Sequence, residues 1–173
     1  SLAYAYKLKE LLFWGNAYIA FAMVIPFIYG DFVVSAHLAY SIIVISVMIF
    51  FAGLAREIHG TIRDYAGDTT VRNARTMPKV IGIKGSAALA LALYLIAISI
   101  SAYIVLAVKP FVLNAPFAVL VAIADAMLLY TGVGYMIYNT KQFYTSARNM
   151  SLLAMAVALL AVLAGAMLPG LVL

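Results

Sequence analysis

Gly85–Val108 reads GSAALALALYLIAISISAYIVLAV, a run without a single charged side chain. About 20 helical residues cross the ~30 Å hydrocarbon core of a bilayer, so this stretch is long enough to span one. It lacks the two-residue alternation of a barrel strand, and a lone spanning segment must satisfy its own backbone hydrogen bonds, so it is a helix. Its alanines, serines and glycine allow close approach of neighbouring helices in lipid. Working outward from Ala87–Val108, four further apolar runs have spanning length: Leu11–Tyr29, Ser35–Leu54, Ala115–Tyr138 and Ser151–Leu173. The fold class is therefore all-α, a polytopic transmembrane bundle of five spans forming one domain over residues 1–173.

Composition agrees. The chain is 67% hydrophobic and 10% charged, with a mean hydropathy of +1.10, whereas a soluble domain carries roughly 45–50% apolar and about 25% charged residues. Cysteine is absent, which excludes disulfides and thiolate chemistry. Lys7 and Lys9 precede the first run, but that run exceeds the 7–15 residues of a secretory h-region and reads as a true span. The chain starts at Ser1 and enters a span within about ten residues, as expected of a portion of a longer polypeptide. Gly30–Asp31 reads as the first hairpin turn, Lys109–Pro110 ends the third helix, and Asn114 with Pro116 reads as a cap and first-turn proline of the fourth. No repeat or low-complexity segment stands out.

Basic residues fix an orientation. Lys7 and Lys9, then Arg56, Arg63, Arg72, Arg75, Lys79 and Lys84, then Lys141 and Arg148 all fall on one side of the five spans, and only Lys109 falls on the other. Cytoplasmic loops collect Lys and Arg, so the Arg56–Lys84 connection is expected in the cytoplasm of a multi-pass cell-membrane protein. The formal charge of +5 also suits anionic membrane lipid, which is the ordinary role of a juxtamembrane basic residue. No nucleic-acid partner is expected.

That connection contains AREIHGTIRDYAGD, Ala55–Asp68, where Leu54, Ile58, Ile62 and Tyr65 keep helical spacing. If the helix continues, Asp64 and Asp68 stand one turn apart on one face. Two like charges so placed ask for a cation, and a carboxylate pair that leaves its other positions to water and phosphate suits Mg²⁺. The alternative is that the aspartates pair with Arg63, Arg72 or Arg75 and hold the connection at the membrane surface. Arg72, Arg75, Lys79 and Lys84 make the segment amphoteric, as a site for a metal-bound diphosphate would be.

REIHGTIRDYAGDTTVRNARTMPKVIGIKG resembles the second aspartate-rich segment of the UbiA superfamily of intramembrane prenyltransferases, and within it the archaeal digeranylgeranylglyceryl phosphate synthase branch. The pattern there runs approximately R-E-I-x-K-D-I-x-D-x-x-G-D followed by T-L-P-x-x-x-G, and Arg56, Glu57, Asp64, Gly67, Asp68, Thr76, Pro78 and Gly82 match it. YAYKLK ahead of the first span resembles the family's Y-x-x-K segment, and PFIYG (26–30) and ADAMLLY (124–130) are similar to the same branch. The resemblance covers the chain as the last five of nine membrane helices. It implies catalytic, metal-binding roles for Asp64 and Asp68 and Mg²⁺ as cofactor. It also implies contact of Lys7 with phosphate, Tyr4 beside it, and substrate binding by Arg63, Arg72, Arg75 and Lys79. The partners it implies are an isoprenyl diphosphate donor such as geranylgeranyl diphosphate and a lipid acceptor such as geranylgeranylglyceryl phosphate.

Two departures qualify the pattern. The family's first motif, N-D-x-x-D, is absent from this sequence, so an amino-terminal half bearing it is expected as partner and the chain alone is expected to be catalytically incomplete. Where the archaeal pattern has K-D the chain reads Gly60–Thr61, which removes one acidic group. Within the family an aromatic acceptor of quinone or haem biosynthesis is the rival; from another class, an ion-coupled transporter is, although the paired repeats and broken helices of transporters are not found.

Asp125 lies near the middle of the fourth span, where a carboxyl group usually marks a pathway or an interhelical partner; Tyr130, Asn139 or the other half of the protein are its candidate partners. His59 reads as a polar lining residue, and His37 as incidental.

Overall fold

The computed structural model describes residues 13–71 and 76–168, apart from the side chains of 66–71. Among them are five helices: α1 (Trp14–Ser35), α2 (Tyr40–Val71), α3 (Met77–Ala107), α4 (Ala115–Ile137) and α5 (Lys141–Met167). All five are long and apolar enough to cross a membrane. Each packs on its neighbour in sequence, and α2 also touches α5. One end of the bundle, where α2 ends and α3 begins, carries Arg56, Glu57, Arg63 and Asp64, and is called the charged end below.

The first hairpin differs from the sequence reading. Gly30 and Asp31 lie inside α1, which runs to Ser35 and is closed by Ala36 in the left-handed conformation (φ 56°). Asp31 pins the turn from within the helix: its Oδ2 accepts from Ala39 N at 2.7 Å, while Ser35 Oγ donates to the Asp31 carbonyl at 2.7 Å. A polar pair at a helix end reads as a turn in sequence, yet here it serves to satisfy backbone groups that the turn leaves open. The fifth span likewise starts at Lys141 rather than Ser151, with Thr140 as cap accepting from Phe143 N at 3.3 Å. Its polar first turns extend the apolar run toward the charged end. The fourth helix begins as expected, with Asn114 Oδ1 accepting from Phe117 N at 3.0 Å. Asn114 Nδ2 donates to the Leu168 carbonyl at 2.8 Å and so ties the start of α4 to the end of α5.

The interior is made of small residues. Ala20, Ala55, Ala87, Ala90, Ala154 and Ala161 are fully buried. A Cβ added at Gly132 would lie 2.9 Å from Leu91 Cδ1, and one at Gly165 2.8 Å from Phe111 Cδ1. This is how helices gain dispersion contact in lipid, where no hydrophobic force separates core from surroundings. Large side chains such as Val119, Leu153 and Leu163 point outward, as a bilayer permits.

Two glycines within the charged region differ in conformation. Gly60 sits within α2 with ordinary helical geometry, whereas Gly82 has φ 75° and ψ 166° and kinks α3 one turn after it starts. That backbone conformation is open essentially to glycine alone. The kink frees the Gly82 carbonyl, and Ser86 Oγ donates to it at 2.9 Å.

Candidate functional site

Helix α2 does not stop at the apolar boundary near Leu54. Its 32 residues give it a length of about 48 Å, more than the hydrocarbon core requires, so the Ala55–Asp68 segment is helix rather than connection. The reason lies in the stripe of Leu54, Ala55, Ile58 and Ile62, all at most 2% exposed, which holds the extension against the bundle. At 100° per residue, Glu57, Thr61, Asp64 and Asp68 (i, i+4, i+7, i+11) fall within about 60° of one another on a different face. The register thus places Asp64 and Asp68 one turn apart.

Asp64 is held by its neighbour. Arg63 Nε donates to Asp64 Oδ1 at 2.7 Å and Nη2 to Oδ2 at 2.9 Å, a two-pronged pair. The Asp64 side chain is 54% exposed, so the pair contributes only about 0.2–1 kcal/mol to stability; its consequence is that the carboxylate is oriented. Pairing of Asp64 with Arg63, the alternative raised by the sequence, is therefore realised. It does not preclude metal binding, because a carboxylate has about four acceptor positions and the fork occupies two. Deeper in the bundle, Arg56 Nη1 donates to Glu57 Oε1 at 3.0 Å, with both side chains 21% exposed, and Arg56 Nε is buried without a partner among the described residues.

Lys79 is exposed in the first turn of α3, before the Gly82 kink. Tyr4, Lys7, Arg72, Arg75 and the side chain of Asp68 lie outside the described residues. No cluster of three or more His, Asp or Glu able to hold a metal occurs among the described residues. What is present fits Mg²⁺ in kind: hard carboxylate oxygen, exposed and oriented, on a face that presents a second aspartate one turn away.

His59 is not a lining residue. It is 3% exposed, stacks on Tyr135 with ring centroids 3.8 Å apart and planes 3° apart, and meets the edge of Tyr94 at 5.4 Å. Tyr135 stacks in turn on Tyr144 at 4.8 Å. This aromatic column ties α2 to α3, α4 and α5 just behind the charged face. Sequence offered no signal for it beyond a high count of tyrosine. Asp125 finds a partner the sequence did not suggest, Ser101 of α3, while Asn139 accepts from Tyr144 Oη at 2.7 Å. Asp125 borders a mid-bundle cavity of about 230 Å³, otherwise apolar and lined from all five helices, with Met23, Phe27, Met48 and Met155 among its walls.

A helical face carrying aspartates one turn apart thus lies at one end of a membrane bundle whose middle holds an apolar cavity, the architecture of a helical integral membrane protein. Comparison with known proteins gives the family: the UbiA prenyltransferase family model matches residues 1–153, and the chain belongs to that family. It is 34% identical over 163 residues to the digeranylgeranylglyceryl phosphate synthase of Archaeoglobus fulgidus, covering 94% of this chain and 55% of that protein. It is 34% identical over 99 residues to the enzyme of the same name from Methanoregula boonei, covering 57% of this chain and 35% of that protein. The chain thus spans about half, or less, of the length of these relatives. No solved structure matches it significantly.

Proposed function

We propose that the protein to which this chain belongs is an intramembrane prenyltransferase that moves a geranylgeranyl group from its diphosphate to the hydroxyl of a lipid acceptor such as geranylgeranylglyceryl phosphate. The observation that carries the reading is the α2 face, where Asp64 and Asp68 share one helical stripe beside the oriented Arg63–Asp64 pair. Family membership and the names of the two relatives support it.

Asp64 and Asp68 would hold Mg²⁺ against the donor diphosphate. Bound there, the metal supplies charge neutralisation for the departing diphosphate. Arg63 keeps Asp64 oriented and Lys79 would contact phosphate at the same end, while Lys7, Tyr4, Arg72 and Arg75 are the further phosphate contacts that the family resemblance implies. One helix face offers ligands from one direction, so in the whole protein the carboxylates of an N-D-x-x-D motif would face them. The apolar cavity takes part of an isoprenoid tail: along α2, Ala52 in its wall lies twelve residues from Asp64, about 18 Å. The charged end faces the cytoplasm, following the basic residues.

The test uses protein expressed from its complete coding sequence and reconstituted in lipid with geranylgeranyl diphosphate and Mg²⁺. Ether product with geranylgeranylglyceryl phosphate, and none with an aromatic acid acceptor, is the expected result. Product only with the aromatic acceptor would assign the protein to the other branch, and no prenyl transfer to either would refute the reading.

A further inference from the structure

The proposed reaction sheds a proton. As the ether C–O bond forms at the allylic carbon, the bond from that carbon to the diphosphate breaks and its electron pair leaves with the diphosphate. The acceptor oxygen must then lose its hydrogen to some base. Among the described carboxylates and imidazoles at the charged end, most are otherwise engaged or misplaced. Asp64 is bound by the Arg63 fork and assigned to the metal. His59 is enclosed by Tyr94 and Tyr135, on a face of α2 turned well away from Asp64. Thr61 spends its hydroxyl hydrogen on the Ile58 carbonyl at 2.7 Å.

Glu57 remains. It lies on the same face as Asp64, seven residues deeper, which is about 10 Å along the helix. Only one of its oxygens is used, Oε1 by Arg56 Nη1, and Oε2 has no protein partner among the described residues. Helix α1 brings a second polar group to this level. A Cβ on Gly53 would lie 3.6 Å from Ala20 Cα and 3.1 Å from Met23 Sδ, so α1 and α2 approach closely there. Counting one turn from that contact toward the charged end along both antiparallel helices, the register sets Asn16 level with Glu57. Asn16 is 8% exposed, and its Nδ2 is buried without a hydrogen-bond partner among the described residues. A further turn on, a Cβ at Gly60 would meet nothing within 4 Å among the described residues, so no described side chain crowds α2 there. An unpartnered buried amide is costly in a bilayer unless something bonds to it, and turning the carboxamide over presents its NH₂ to either side.

We propose that Glu57 and Asn16 form the acceptor subsite: the Glu57 carboxylate takes the hydrogen bond, then the proton, of the lipid hydroxyl, and the Asn16 amide donates to another oxygen of the same acceptor. The proposal rests on the prenyltransferase reading above. Glu57 passes its proton to water after the ether is formed, which restores the carboxylate.

Glu57→Gln keeps size and hydrogen bonding but removes the base. In protein expressed from its complete coding sequence, ether formation should fall roughly 100-fold or more, the range of a lost general base, while binding of inorganic diphosphate with Mg²⁺, followed by thermal shift, stays at the wild-type level. Asn16→Leu should raise the KM for the lipid acceptor and leave the KM for geranylgeranyl diphosphate unchanged. It should also leave the unfolding midpoint equal or higher, because an unpartnered amide has been removed. Near-normal ether formation by Glu57→Gln would overturn the proposal, and so would joint loss of diphosphate binding and transfer, which would make Glu57 part of the donor site or the fold. An unchanged acceptor KM in Asn16→Leu, or a lowered midpoint, would overturn the role of Asn16. If the wild type neither binds diphosphate nor transfers a prenyl group, the prenyltransferase reading itself fails, an outcome distinct from these.

Discussion

Gly60→Ala and Gly82→Ala are the same chemical change at two positions where a Cβ meets nothing within 4 Å among the described residues, so neither is decided by a clash. Gly60 lies in regular α2, and there alanine removes the excess backbone entropy of glycine and should stabilise by about 0.5–1 kcal/mol. Gly82 has φ 75° and ψ 166°, a region where a side chain costs about 1–3 kcal/mol. For a chain of this size, about 2–4 °C of unfolding midpoint corresponds to 1 kcal/mol. The expected shifts are therefore roughly +1 to +4 °C for Gly60→Ala and about −2 °C or a larger fall for Gly82→Ala, a difference of sign. Thermal unfolding in detergent, followed by tyrosine and tryptophan fluorescence, reads both. A Gly60→Ala midpoint below wild type would mean that α2 does not continue as helix through the charged segment, and an unchanged midpoint in Gly82→Ala would remove the kink from the account.

Three further outcomes follow from particular contacts. Ser101→Ala leaves Asp125 without its partner across α3 and α4 and should cost about 0.6–2 kcal/mol, with a double mutant carrying Asp125→Ala costing less than the sum of the two single changes; strict additivity in detergent unfolding would deny the pair. Gly134→Ala drives a methyl group into the Phe143 ring and should destabilise by about 1–3 kcal/mol, read by the same assay, whereas a neutral result would mean that α4 and α5 are not so close. A single cysteine at Asn73 should be labelled by a membrane-impermeant maleimide only from the cytoplasmic side of sealed vesicles, and labelling from the outside alone would reverse the orientation.

Five spans were legible because hydrocarbon thickness and backbone satisfaction leave few options for a long apolar run, and the Asn114 cap was legible because Asn followed by Pro116 has one local meaning. Helix ends were less so. Gly30–Asp31 read as a turn because glycine and aspartate favour turns, but Asp31 serves Ala39 from inside the helix, a choice made by a residue eight positions away. The extension of α2 was half visible in the spacing of Leu54, Ile58 and Ile62, and its glycines obscured it. In the candidate site, the Asp64–Asp68 face was readable as a pattern within one helix, and the competing Arg63 pair was adjacent in sequence. Contacts between helices were not readable. Nothing in sequence joins Ser101 to Asp125, His59 to Tyr135, or sets Asn16 level with Glu57, because each depends on the register in which separate helices meet.

The central claim is that the Asp64–Asp68 face holds the metal-bound diphosphate rather than the fold. The most direct measurement compares Mg²⁺-dependent ether formation from geranylgeranyl diphosphate by wild-type, Asp64→Asn and Asp68→Asn protein, each from the complete coding sequence, beside its unfolding midpoint. Both variants should keep a near-wild-type midpoint, since the Arg63–Asp64 pair contributes only about 0.2–1 kcal/mol, and both should lose activity that chelation of Mg²⁺ also removes. Turnover near wild type in both variants, or activity indifferent to chelation, would contradict the claim.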